Sequence, residues 1–224
     1  MPDYFSHCIA AEVIYEKLDT TSKKKITSKT LYLLGALGGD VFFTYNIKPT
    51  KSNLGRSLHR KNAVYLFEQL IKGNPSYAAG FATHYALDST LHPEIYAYEK
   101  TKRSPLAHTT FESDLGLYIS RKYGIRRVII PKEKALACTS QIYDTMKNIE
   151  PFITMSGVER CLKRHFSYAL FTYRTKRQSY KCNYDFSSLS GEIEKGVDLG
   201  LKAVKCVLDG NVDTEVFSKE FLQQ

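Results

Sequence analysis

The stretch "GFATHYALDSTLHPE", residues 80–94, sets His84, Asp88 and His92 four apart among apolar neighbours that include Ala82, Ala86, Leu87 and Leu91. Side chains four apart on a helix share a face, one turn above the other. Ionisable groups among apolar ones are costly unless they are paired or bind a metal. The stripe therefore demands a partner. Sixteen residues after His92, "SPLAHTTFESDLGLYIS" repeats the spacing with His108 and Glu112. A lone His–carboxylate pair at this spacing is more often a surface ion pair or helix salt bridge, but two in tandem, joined through His92, are less easily dismissed and read as half-sites for a metal. His7, His59 and Asp40 also lie in the first half of the chain. Imidazole and carboxylate without thiolate favour zinc, with manganese or iron as alternatives. His165 falls on an apolar helix face one turn after Cys161 and Leu162, and reads as a core or surface histidine.

The periodicity around these residues is helical throughout. Helices are expected over 7–18, 61–72, 76–92, 106–123, from Pro131, from 156 and after 190. "GNP" at 73–75 supplies a stop, Pro93 an end at His92, Gly124 another stop, and Ser156 with Glu159 a capping box. "GALGGD" breaks the apolar run 31–45 just before Val41. No alternating strands are evident and no linker interrupts the 224 residues, so the expectation is an all-α, single-domain helical bundle over 1–224. The hydrophobic share of 43% supports a sizeable core. Neither a membrane span nor a secretion signal is expected. Five scattered cysteines without a C-x-x-C pair read as reduced thiols in a cytoplasmic protein. The net charge of +9 is spread along the chain, which suits peripheral contact with an anionic membrane surface or phosphate-bearing molecules. No module for sequence-specific nucleic-acid binding is present.

Together "FSHCIAAEVI", "LGALGGDVFF", "SLHRKNAVYLF", "GFATHYALDSTLHP" and "AHTTFESDLG" resemble the zinc-dependent phospholipases C of bacteria, which share an all-α fold with single-strand-specific zinc nucleases. The resemblance runs from about His7 to Ile119. It implies a multinuclear metal cleft in which His84, Asp88, Asp40 and His59 hold one zinc, and His92, His108 and Glu112 a second. A third would be shared by His7, the other oxygen of Asp88 and the N-terminus, which is Pro2 once the methionine is removed. It further implies hydrolysis of a phosphodiester by zinc-activated water, with Asp40 as ligand and as the group that orients or deprotonates the water. The substrate would be a phospholipid or another phosphate ester. Phosphomonoesterase or nuclease activity on the same site stays open, as does a metal-stabilised protein that binds an anionic lipid or phosphate without turnover.

This chain departs from the pattern in three places. It has no Trp, whereas secreted members begin with one. Where choline-preferring members place aromatic residues, after the Asp and three before the second His, it has Val41 and Arg56. A guanidinium at Arg56 would repel choline and could form two parallel hydrogen bonds to a phosphate, so an anionic headgroup or free phosphate is expected. Within these 224 residues no lipid-binding β-domain of the kind that membrane-active toxins of the family append is expected.

Overall fold

The computed structural model describes residues 4–47, 52–126, 128–174 and 179–219. Among them are eleven α-helices: α1 Tyr4–Lys17, α2 Thr20–Lys25, α3 Lys29–Ala36, α4 Leu54–His59, α5 Ala63–Leu70, α6 Pro75–Lys100, α7 Ala107–Tyr123, α8 Lys132–Ala137, α9 Thr139–Met146, α10 Met155–Arg174 and α11 Ser190–Leu208. Two 3₁₀ segments, Gly38–Thr44 and Phe186–Leu189, complete the helical architecture. The fold is all-α. Its only extended pairing among the described residues is an antiparallel ladder of two residues a side, β1 Asn46–Ile47 and β2 Ser52–Asn53, in the register Asn46 to Asn53. Such a ladder is too short to imprint a period of two on the sequence.

The axis of the molecule is α6. Asn74 opens it by accepting from the backbone N–H groups of Ser76 at 3.0 Å and Tyr77 at 3.2 Å, and Pro75 occupies its first turn, where a missing N–H costs nothing. The helix does not end at His92. It runs on to Lys100 with Pro93 inside it, which corrects the expected boundary. Proline removes one intrahelical hydrogen bond and crowds the preceding turn, but the residues beyond it have strong reasons to stay helical. Ile95 is buried, and the ring of Tyr98 lies 4.6 Å from that of Phe111 on α7.

Glycines set how closely α6 is embraced. A Cβ on Gly80 would sit 1.9 Å from the Tyr32 carbonyl oxygen, and one on Gly35 2.0 Å from that of Tyr77, so α3 and α6 cross with their backbones in contact. On the far side α11 buries Ile193, Val197, Val204 and its own glycines Gly196 and Gly200. A Cβ on Gly196 would lie 2.7 Å from Thr90 Oγ1. A single hydrophobic cluster joins these elements to α1, α5, α7, α9 and α10.

Smaller differences from the sequence reading have local causes. Helix α10 is opened by Thr154, whose Oγ1 accepts from the Gly157 N–H at 3.1 Å, so the Ser156 and Glu159 pair lies inside the helix and is not its cap. Pro131 stands just before α8 as its flanking residue. Gly124 ends α7 in the left-handed conformation, φ 66°, as its identity suggests. Short α2, α3 and α4 escaped notice because six to eight residues hold too few turns to show a period. None of the five cysteines is in a disulfide. Among the described residues no helix is long and apolar enough to cross a membrane.

Candidate metal centre

Five elements converge on one cluster. His7 comes from α1, Asp40 from the 3₁₀ segment after α3, His59 from the last residue of α4, His84, Asp88 and His92 from α6, and His108 and Glu112 from α7. All are buried except His108, which is half-buried. Asp88 is the hub. Its Oδ2 lies 3.2 Å from His84 Nε2 and 3.4 Å from His59 Nε2, while its Oδ1 lies 3.4 Å from His7 Nε2 and 3.5 Å from His92 Nδ1. Asp40 approaches His59 Nε2 at 3.2 Å and His7 Nε2 at 3.7 Å. On the other flank, Glu112 Oε1 stands 3.1 Å from His108 Nε2 and 3.8 Å from His92 Nε2. Three sets bring their ligand atoms within 4.8 Å of one another: His7, Asp40 and His84; His59, His84 and Asp88; and His92, His108 and Glu112.

The "GALGGD" break earns its glycines here. Gly38 has φ 52°, and a Cβ on it would lie 2.1 Å from the His84 ring, while one on Gly39 would lie 2.7 Å from the His59 ring. The backbone thus lies directly against two imidazoles and delivers Asp40 beside them. Asn53 caps α4 by accepting from the Arg56 N–H at 2.7 Å, which fixes the short helix that ends at His59. The ring nitrogens are then sorted by their backbone partners. His59 Nδ1 donates to the Gly55 carbonyl at 2.7 Å, and His92 Nδ1 to the Asp88 carbonyl at 3.2 Å. In both rings Nε2 is left to face the cluster.

The charges are strained by burial. Burial holds His84 well below the usual histidine range and raises Asp40. Burial would also lower His59, but its contacts with Asp40 and Asp88 outweigh that and push it up to about 10. Asp88 is held below the ordinary carboxylate range because the surrounding imidazoles, His84 first, outweigh its burial. Burial opposes the charging of His108 too, yet Glu112 and Glu99 bring it up to about 9.

This donor set fits divalent metal. His59 Nε2 and His84 Nε2 are 3.1 Å apart, and His84 Nδ1 and His7 Nδ1 are 3.2 Å apart. Facing imidazole nitrogens can satisfy one another only where one of each pair carries a proton, whereas cations satisfy all their lone pairs. Glu112 Oε2 is buried without a hydrogen bond among the described residues. Between the two flanks lies a cavity of about 20 Å³, lined by His7, Asp88, His92, Glu112 and Ser6, large enough for a single water-sized group. Zinc is the ion such imidazole and carboxylate sets favour.

Other expected positions stand apart from the cluster or beyond it. Pro2 lies outside the described residues. Arg56 is exposed on α4, one turn before His59, and Val41 is buried. His165 packs beside Tyr4 and Phe166, and burial holds it down at about 4. Four neighbours of the centre were not singled out in the sequence: Ser6, Phe43 stacked 5.3 Å from the His59 ring, Tyr96 5.4 Å from His92, and Glu99. Tyr96 and Glu99 follow His92 by four and seven residues, a signal that reads only if the helix is carried through Pro93.

Comparison with known proteins places the chain in a family. Neither the curated proteins nor the solved structures gave a match. Residues 6–166, more than half of the chain and inclusive of all eight clustered donors, match the family described as zinc dependent phospholipase C. The chain belongs to the zinc-dependent phospholipase C family.

Proposed function

We propose that the protein is a metal-dependent phosphoester hydrolase that cleaves a phosphodiester, in the manner of a phospholipase C, and that it does so with two zinc ions and a third at the His7 flank. The reading rests on one observation above all: Asp88 offers separate oxygens to separate histidines at the centre of eight clustered donors. A structural ion needs four ligands and no shared carboxylate. In this proposal His59, His84, Asp88 and Asp40 hold one ion, and His92, His108 and Glu112 hold the second. His7 and the other oxygen of Asp88 hold the third, with the N-terminus at Pro2. When bound, the ions supply positive charge to the phosphate oxygens and lower the pKa of water.

The side chains then divide the remaining work. Asp40 brings a buried carboxylate beside His59 and His7 and is assigned to orient the attacking water and take its proton. Attack at phosphorus breaks the bond to the alcohol oxygen of the ester, releasing a phosphomonoester and the alcohol, a diacylglycerol for a phospholipid. Arg56, exposed one turn from His59, is assigned to an anionic headgroup. The net charge of +9 favours approach to an anionic membrane surface, and the free cysteines suit a reducing cytoplasm.

Metal analysis of the purified chain, followed by turnover of bis(p-nitrophenyl) phosphate and of vesicles of phosphatidylcholine, phosphatidylglycerol or phosphatidylinositol, tests the reading. At least two zinc ions per chain and faster release from the anionic lipids are expected. One ion or fewer, or two ions with no turnover of any ester, would overturn it.

A further inference from the structure

The three histidines whose ring geometry is fixed by a neighbour differ in what that neighbour is. His59 and His92 rest their Nδ1 on backbone carbonyls. His108 rests its Nδ1 on a side chain: Glu99 Oε2 at 3.1 Å, while Nε2 of the same ring faces Glu112 at 3.1 Å. His108 is also the least buried of the eight donors, and it sits on the first turn of α7, after an exposed connection from 101 to 106. The rings of Tyr96 and His92 lie beside the His108 ring at 5.7 and 5.8 Å, and its two nitrogens are met by carboxylates, Glu99 on one side and Glu112 on the other. Glu99 reaches the ring only because α6 continues past Pro93. Seven residues after His92, Glu99 returns to the same face of the helix and meets the ring from the side opposite Glu112.

Accepting the two-ion reading above, we propose that Glu99 is a positioning residue of the second metal site, holding His108 as the Nδ1–H tautomer so that Nε2 is presented with Glu112 and His92. Metal-binding imidazoles characteristically donate their other N–H to a carboxylate or carbonyl, and loss of that partner weakens the metal by roughly 10- to 100-fold. The segment of α6 beyond Pro93 is thus part of the site.

The test compares the wild type with Glu99→Ala and Glu99→Gln by competition with a colorimetric zinc chelator, with histidine nitrogen NMR on the zinc-loaded proteins. Glu99→Ala should release one ion of the set roughly 10- to 100-fold more readily, leave the other ions and the helical circular dichroism unchanged, and lose the hydrogen-bonded Nδ1–H signal of His108. Glu99→Gln keeps an acceptor oxygen and should recover most of the affinity and the signal. Equal losses in the two variants would overturn positioning by a hydrogen bond in favour of charge alone. If the wild type takes up its second ion and Glu99→Ala holds it as tightly, the assignment of Glu99 fails while the hydrolase reading stands. If the wild type takes up no second ion, both fail.

Discussion

Asp88 faces four imidazoles with two oxygens, so its replacement by Asn removes charge from both flanks of the centre at once. Asp88→Asn should lose most of the bound zinc, and elemental analysis after gel filtration checks this; full retention would sever Asp88 from the metal. His165 makes a different prediction. Burial holds it at about 4, against roughly 6.5 in an unfolded chain, so the folded state takes up its proton later than the unfolded state as pH falls. Stability from this residue is intact above about pH 6.5 and declines towards pH 4, by about 3 kcal/mol in all. His165→Phe should flatten that part of the acid limb, measured as the difference in urea unfolding between pH 7 and pH 5 in zinc-free protein. An unaltered limb would mean that His165 is wetter than its surroundings imply.

Among elements, α6 shows what sequence reading captures and what it misses. The apolar neighbours, a start near Ser76 and the donor stripe were all legible, because each is a local pattern of side chains, although Asn74 and Pro75 read as the stop of the helix before and not as the cap of this one. The continuation past Pro93 was not, since it depends on Ile95 and Tyr98 finding partners on elements far away in sequence. Glu99 was missed with it. The close crossing with α3 was equally hidden: a glycine inside a helical pattern announces a weakness, and only the neighbour shows why it is there. Two glycines should therefore respond in opposite ways. Gly80→Ala forces a Cβ against the Tyr32 carbonyl and should cost about 3 kcal/mol. Gly191, in the first turn of α11, would meet nothing within 4 Å, and Gly191→Ala should be neutral or stabilising by up to about 1 kcal/mol. Chemical denaturation of the two variants decides; a similar gain in both would show that helix propensity, not the crossing, governs Gly80.

For the whole molecule, the clustered donors lie on α1, the 3₁₀ segment, α4, α6 and α7, so on the proposed reading metal bound only by the folded chain stabilises the entire bundle. Removing zinc with a chelator should lower the melting temperature by several degrees, following roughly 1 kcal/mol per 4 °C or less. No change on chelation would detach the centre from the fold.

The layout of ligands also fixes an order of events during synthesis. The donors run from His7 to Glu112, and the helix that backs the central one, α11, comes off the ribosome long after the last of them. A nascent chain therefore displays all eight clustered donors before it owns the wall that packs against α6. A chain stopped before Ser190 should carry all eight donors and, on the proposed reading, hold metal less tightly than the full chain.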